Sequence, residues 1–276
     1  MTDSQAFRYD GKRALVVGGA TGMGAAAARA VAALGAEVVV MDIAPADYPV
    51  AQMIVTDLAD RARLDAAIDE ITGPVDAVFS AAGIAGGPAV MRVNVIGHRH
   101  LLERLLAEGR LGAGSAICFI SSVAGLGWQN HLPTLVDFLA TEDFEAADKW
   151  VSAHEGTNSY MFSKQAINAY VARESYPLLA RGIRINAICP GPTDTPLARA
   201  NSWGGFDEQY RKAAGDVPPL TPEQMGNVMA FLNSDAASGI SGVSLLVDSG
   251  HVGSSIGGSW EAGKPVIEFL MTQNSV

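Results

Sequence analysis

The sequence predicts an α/β protein: one doubly wound parallel sheet of about seven strands with helices on both faces. Three observations predict it. Short β-rich apolar runs alternate with helical stretches along nearly the whole chain, the runs are unbroken in polarity, and a glycine cluster separates the first run from the first helix. Strands covered on both faces read as continuous apolar runs, which favours a buried parallel sheet. A chain of 276 residues could divide into two small domains, but one domain of this type absorbs residues 1–276 entire.

The first strand is carried by "ALVVGG", and an alanine-rich helix follows it. The runs "AEVVVMD" and "QMIVTD" give two further strands, then come a charged helix and the strand "VDAVFSAAG". A long helical segment covers roughly residues 89–109 and leads into "SAICFISS". A helix starting near Tyr160, the strand "IRINAICPG", a polar variable region and the strand "VSLLVD" complete the pattern. Two segments interrupt it. Residues 126–154 form a polar and aromatic insertion with its own helical pattern, and residues 197–219 form a proline-bounded loop rich in Gly, Ser and aromatics. Both are expected beyond the carboxyl ends of the strands, where ligands of such sheets bind. There are no internal repeats, and the one low-complexity patch is "GSSIGG".

Composition excludes several classes of function. Hydrophobic residues make up 49% and charged residues 17%, which excludes wholesale disorder, and no apolar run is long enough for a membrane span. The start "MTDSQAFRYDGKR" lacks the basic and apolar regions of a secretory signal, so a cytoplasmic protein is expected. A formal charge of −10, without a basic patch, disfavours nucleic acid or anionic membrane as partner. Cys118 and Cys189 lie in apolar runs without CxxC spacing and read as buried free thiols. The five histidines, His98, His100, His131, His154 and His251, show no metal-binding pattern, so no metal is assigned.

In "VVGGATGMGAAAARAVAALGAEVVVMD", Gly18, Gly22 and Gly24 open a helix directly after a strand. Glycines there permit a tight turn and let backbone N–H groups reach a pyrophosphate at the positive end of the helix dipole. With Thr21 and Met23 they form the expected cofactor cradle. Asp42 ends the second strand, followed by Ile43. A carboxylate there accepts from both ribose hydroxyls and repels a 2′-phosphate, so NAD is expected over NADP; neither the loop nor the stretch after Asp42 offers a basic residue. Asp57 is placed to meet the adenine amino group with Leu58 beside the ring; it could also cap a helix, and capping could coexist with binding.

Tyr160 and Lys164, four residues apart, lie on one face of a helix. Taken alone, such a pair is as easily an amphipathic residue beside a solvated charge. The chain as a whole, however, resembles the classical short-chain dehydrogenase/reductase family. Gly18, Gly22 and Gly24 match its GxxxGxG loop, with Val17 where the family usually has Thr, and "SAAG" (Ser80 to Gly83) stands where NNAG is usual. Asn94, Ser122, Tyr160 and Lys164 match its catalytic asparagine, serine and YxxxK motif. "PGPTDTP" looks like its PGxxxT segment, which grips the nicotinamide carboxamide. The long interval from Ser122 to Tyr160 is similar to that of the bacterial 3α-hydroxysteroid dehydrogenase/carbonyl reductase group.

The resemblance implies a Rossmann-like fold and a cofactor site that includes Ala81, Ala82, Gly83, Pro190, Gly191, Thr193 and Thr195. It also implies secondary alcohol–ketone interconversion. Tyr160 would act as acid and base, with its pKa lowered by the Lys164 ammonium. Ser122 would hold the substrate oxygen, Lys164 would also bind the nicotinamide ribose, and Asn94 would hold a relay water through its carbonyl or its side chain. Leu126, Trp128, Leu197, Trp203, Phe206 and Tyr210 are candidate pocket walls, or equally lid packing or a subunit contact. A mostly apolar, uncharged steroid, cyclic or aryl ketone or alcohol is expected, since Arg199 and Arg211 are the only evident anchors for a charged substrate. Family habit implies a homotetramer or homodimer. Two other readings stay open: a non-catalytic NAD(H) sensor, and a cofactor-independent lyase or dehalogenase.

Overall fold

Seven parallel strands form the sheet of the computed structural model, which describes residues 3–201, 206–215 and 217–272. They are β1 (Arg13–Val17), β2 (Glu37–Asp42), β3 (Gln52–Val55), β4 (Ala77–Ser80), β5 (Ala116–Ile120), β6 (Arg184–Pro190) and β7 (Ser244–Val247), in the order β3-β2-β1-β4-β5-β6-β7. Strand order reverses between β1 and β4, which pair in register from Ala14 with Ala77 to Val17 with Ser80. That reversal opens a crevice at their carboxyl ends.

Successive side chains leave a strand on opposite faces, so the two hydrophobic cores divide each strand between them. Ala14, Val16, Val38 and Val40 face α1 (Gly22–Ala33) and α9 (Pro222–Asn233). Leu15, Val17, Val39 and Met41 face α2 (Arg61–Asp69), α3 (Gly97–Ala107) and α6 (Tyr160–Leu179). The apolar runs are thus buried on both sides in the central strands. The expectation fails at the edge: Leu245 and Leu246 of β7 are 39% and 37% exposed, because no strand among the described residues pairs with that margin.

The helix expected over residues 89–109 is interrupted. Arg92–Ile96 form a single π-helical turn, with Asn94 at its centre, before α3 begins. Such turns insert one residue into the helical ladder and re-aim the side chains around it. Asp57 does not cap α2; Asp60 does, accepting from the Arg63 amide at 3.1 Å, while Asp57 accepts from the Ala59 amide at 2.9 Å.

The 126–154 insertion folds as α4 (Leu132–Leu139) and α5 (Phe144–Ala153). Asp143 caps α5, accepting from the Ala146 amide at 2.8 Å. The pair packs away from the crevice, against α6 and the π turn. Phe138 is fully buried, with its ring 5.3 Å from Trp150 and 6.1 Å from Phe162 of α6. Arg92 grips Asp148 at 2.6 and 2.7 Å. Both cysteines are buried free thiols. Among the described residues, no helix is long and apolar enough to cross a membrane and no cluster of His, Cys, Asp or Glu could hold a metal ion.

Removing the anchor of the insertion should be costly. Phe138→Ala is expected to lower unfolding free energy by about 3–5 kcal/mol, read from denaturant midpoints at unchanged m-value.

Candidate active site

Gly18 turns at φ +84°, and a Cβ on it would lie 2.2 Å from the Ala82 nitrogen. No other residue fits between β1 and the loop after β4. Gly24 is constrained alike, its Cβ position lying 2.0 Å from the Gly18 oxygen. The result is a cradle at the start of α1 whose first turn carries no acidic residue and whose Thr21 cap makes no side-chain bond to it. Backbone N–H groups there remain free to meet an anion.

Asp42 stands at the end of β2 and accepts from the amides of Ala20 at 2.8 Å and Ala44 at 3.2 Å. Beside it Ile43 is 68% exposed. Leu58, in contrast, has its side chain in the main core. One basic residue near this end escaped the sequence reading because it lies on α1: Arg29 stacks over Tyr48 at 4.4 Å and pairs with Asp47 at 3.2 Å.

The four residues matched to the family's catalytic set converge. Ser122 follows β5 and caps a 3-10 turn, accepting from the Ala124 amide at 3.1 Å. Tyr160 is the first residue of α6, with Ser159 as its cap, and a hydrogen bond links Ser122 to Tyr160. Lys164 is 4% exposed; its Nζ donates to the Ile120 carbonyl at 2.9 Å and lies 5.4 Å from the centre of the Tyr160 ring. Asn94 is fully buried, accepting from the Ile84 amide at 2.8 Å and donating to the Ile84 carbonyl and to Ser163 Oγ, both at 3.0 Å. Ser163 Oγ in turn donates to the Tyr160 carbonyl at 2.6 Å.

Electrostatics depart from the simple expectation. Burial pushes the Tyr160 phenol up to about 12, against the opposing pull of its hydrogen bond with Ser122. Burial likewise lowers Lys164 to about 8. Desolvation penalises the charged form of each and is the largest influence on both. Sequence reading also missed His98, whose Nε2 lies 3.0 Å from the Ala82 carbonyl and which burial lowers to about 4. A fully buried histidine on a helix of ordinary pattern gave no signal.

Ser122, Tyr160 and Lys164 open on a cavity of about 1050 Å³ that is also lined by Gly191, Thr193 and Thr195, among others. Thr193 and Thr195 are buried; Thr195 caps α7 (Pro196–Ala200), and Gly22 approaches it across the cradle. Leu197 and Tyr210 line the cavity as expected, whereas no residue of the 126–154 insertion does, so Leu126 and Trp128 are not its walls. Trp203 and the side chains of Phe206 and Arg211 lie outside the described residues. A further wall is α11 (Lys264–Thr272), which brings Val266, Phe269 and Leu270 to the cavity. Their i, i+3, i+4 spacing was the available signal.

The fold and the comparisons with known proteins support an oxidoreductase that uses a nicotinamide cofactor. Residues 12–134 match the short chain dehydrogenase model and residues 147–251 match the enoyl-(acyl carrier protein) reductase model. The chain is 31% identical over 255 residues to the 3-alpha-hydroxysteroid dehydrogenase/carbonyl reductase of Comamonas testosteroni, covering 86% of this chain and 95% of that one. It is 29% identical to the cis-4-hydroxycyclohexanecarboxylate dehydrogenase of Sinomonas cyclohexanicum, over 86% of this chain and 95% of that one. Among solved structures, the 3-alpha-hydroxysteroid dehydrogenase of Pseudomonas sp. B-0831 complexed with NADH superposes with a TM-score of 0.72 at 25% identity, covering 96% of this chain and all of that one. The chain belongs to the short-chain dehydrogenase/reductase family.

The buried amine sets a pH signature in the ligand-free protein. Lys164 is held near 8 in the folded chain and returns to 10.5 on unfolding, so the folded state gives up its proton first. Its contribution to stability therefore rises between those values. Wild type should gain unfolding free energy relative to Lys164→Met as pH is raised from 7 to 10, measured by denaturant titration; a flat difference would contradict the burial.

Proposed function

We propose that this protein is an NAD(H)-dependent dehydrogenase and ketone reductase for an uncharged, mostly apolar cyclic or aryl substrate. The observation that carries the reading is the hydrogen-bonded Ser122–Tyr160 pair on the same cavity as a buried Lys164. A binding module has no need of all three.

The residues present fit the cofactor. The Gly18–Gly24 cradle, with Thr21, Gly22 and Met23, suits a pyrophosphate, and Asp42 with the bare Ile43 suits an adenosine that carries a free 2′-hydroxyl. Arg29 is already balanced by Asp47, which leaves the carboxylate of Asp42 to repel a 2′-phosphate. Asp57 and the backbone of Leu58, Ala81, Ala82 and Gly83 complete that side, and Pro190, Gly191, Thr193 and Thr195 the nicotinamide side. Bound, the oxidised nicotinamide supplies the hydride acceptor and adds positive charge to the pocket.

The chain's own residues handle the oxygen and its proton. Ser122 donates to the reacting oxygen and orients it. Tyr160, protonated at neutral pH, gives its proton to the carbonyl oxygen in reduction and takes the hydroxyl proton back in oxidation. Lys164 opposes the desolvation of the phenolate once it forms and holds ribose hydroxyls. Leu197, Val217, Phe269 and Leu270 exclude water and receive an apolar frame. An anionic substrate is disfavoured because Asp194 holds the Arg199 guanidinium at 2.7 and 2.9 Å. The similar proteins named for hydroxysteroid and hydroxycyclohexane substrates support a cyclic secondary alcohol.

Absorbance at 340 nm, with NAD⁺ and then NADP⁺ across steroid, cyclic terpenoid and aryl alcohols, should show turnover with NAD⁺ preferred. Tyr160→Phe should cut kcat roughly 10²–10⁴-fold with NADH affinity nearly unchanged; near-normal turnover in that variant would refute the assignment. The bare margin of β7 supports a homo-oligomer, either a dimer or a tetramer. Light scattering should give a multiple of the 28.7 kDa chain, and a monomer at micromolar concentration would reject it.

A further inference from the structure

The cavity wall carries a second polar pair that the reaction above does not use. Tyr210, on α8 (Phe206–Ala214), is 2% exposed. Its phenol oxygen lies 2.7 Å from Nδ1 of His251, the first residue of α10 (His251–Ile256), and the rings meet edge-on at 5.3 Å. Trp260 closes the pair from behind, its ring 4.7 Å from the imidazole and 5.7 Å from the phenol, with Nε1 donating to the Ala213 carbonyl at 2.8 Å. Tyr210 and His251 both line the cavity that holds Ser122 and Tyr160.

The chemistry of the pair follows from its geometry. Tyr210 is a ready donor to Nδ1, and with the phenol donating there the imidazole presents its N–H at Nε2. That nitrogen makes no hydrogen bond among the described residues, and His251 keeps part of its surface accessible where it lines the cavity. It is a positioned donor without an acceptor. The charged groups nearby are already engaged: Asp248 accepts from the amides of Gly250 at 2.9 Å and Val252 at 2.7 Å, Asp194 holds Arg199, and Lys164 bonds the Ile120 carbonyl. Of the cations lining the cavity, Arg199 is paired with Asp194 and Lys164 lies beside the reacting Tyr160, whereas an uncharged oxygen would find a donor in His251.

We propose that His251, oriented by Tyr210, is a specificity residue that donates to a second, uncharged oxygen of the substrate. The preferred substrate is then bifunctional: an apolar ring frame with the reacting carbinol or carbonyl at one end and a hydroxyl, keto or ether oxygen at the other. The inference rests on the dehydrogenase reading of the same cavity.

Matched pairs of cyclic secondary alcohols, with and without a second ring oxygen, test it at monocyclic, decalin and tetracyclic size. Binding is read by calorimetry on protein saturated with NADH, and kcat/KM with NAD⁺. In at least one size class the second oxygen should improve both by roughly 10- to 100-fold. His251→Phe should bring that ratio to within about threefold of one, and His251→Gln, whose amide can still donate, should recover part of it. Three results would overturn the inference: no preference at any size in the wild type, a preference that survives His251→Phe, or tighter binding when a carboxylate replaces the neutral oxygen. Should His251→Phe not fold, the wild-type ratio and His251→Gln still decide. Turnover without the preference sinks this inference alone, whereas a His251-dependent preference in binding without turnover sinks the dehydrogenase reading and leaves the subsite standing.

Discussion

An amine buried to 4% exposure needs a partner, and the arrangement around Lys164 organises the active site. Its Nζ donates to the last carbonyl of β5, at Ile120, while its own carbonyl accepts from Ser121 Oγ at 3.0 Å. Those two bonds fasten α6 to the end of β5 where Ser122 begins. Further bonds extend the clamp, with Asn168 Nδ2 donating to the Gly125 carbonyl at 2.9 Å and Asn94 reaching Ser163. A one-residue slip of α6 would rotate every one of these groups away by the helical step of about 100°. The Ser122–Tyr160 contact is therefore a consequence of how the ammonium is satisfied.

The same burial sets the acid–base character of the site. A lysine one helical turn from a tyrosine favours the phenolate only if both remain well solvated or tightly paired. Here neither condition holds: the amine is turned toward a backbone carbonyl and the phenol is pushed up to about 12. Tyr160 thus rests protonated. In the proposed reaction it would serve first as an acid toward a carbonyl oxygen, and its use as a base would depend on positive charge brought into the pocket.

Much of this was legible in the sequence because it is local. Tyr160 and Lys164 share a helix face, Gly18 and Asp42 mark strand ends, and the alternation of runs and helices gives the sheet. What escaped is tertiary. Arg29 is thirteen positions before Asp42 yet folds over Tyr48, and Val266, Phe269 and His251 reach the cavity from the far end of the chain. The insertion was placed at the ligand site by its position after a strand, but its aromatic residues had a better partner in Phe162 on the outer face of α6. Periodicity identified its helices and could not say which surface they would cover.

Asn94 shows how satisfaction of hydrogen bonds narrows a role. Its amide has two donor hydrogens, taken by the Ile84 carbonyl and Ser163 Oγ, and its Oδ1 has already accepted the Ile84 amide. One lone pair is left, so the side chain can join any further network only as an acceptor. That lone pair belongs to an oxygen beside Gly83, whose Cβ position would lie 3.4 Å from Oδ1 and 3.9 Å from Lys164 Nζ. Ammonium and water can both donate there, whereas a carbonyl cannot. The π turn that carries Asn94 then has a physical purpose: it rotates the amide out of the ladder of α3 far enough to bind the loop after β4 and α6 at once, and it leaves an acceptor on the side where the lysine proton is held.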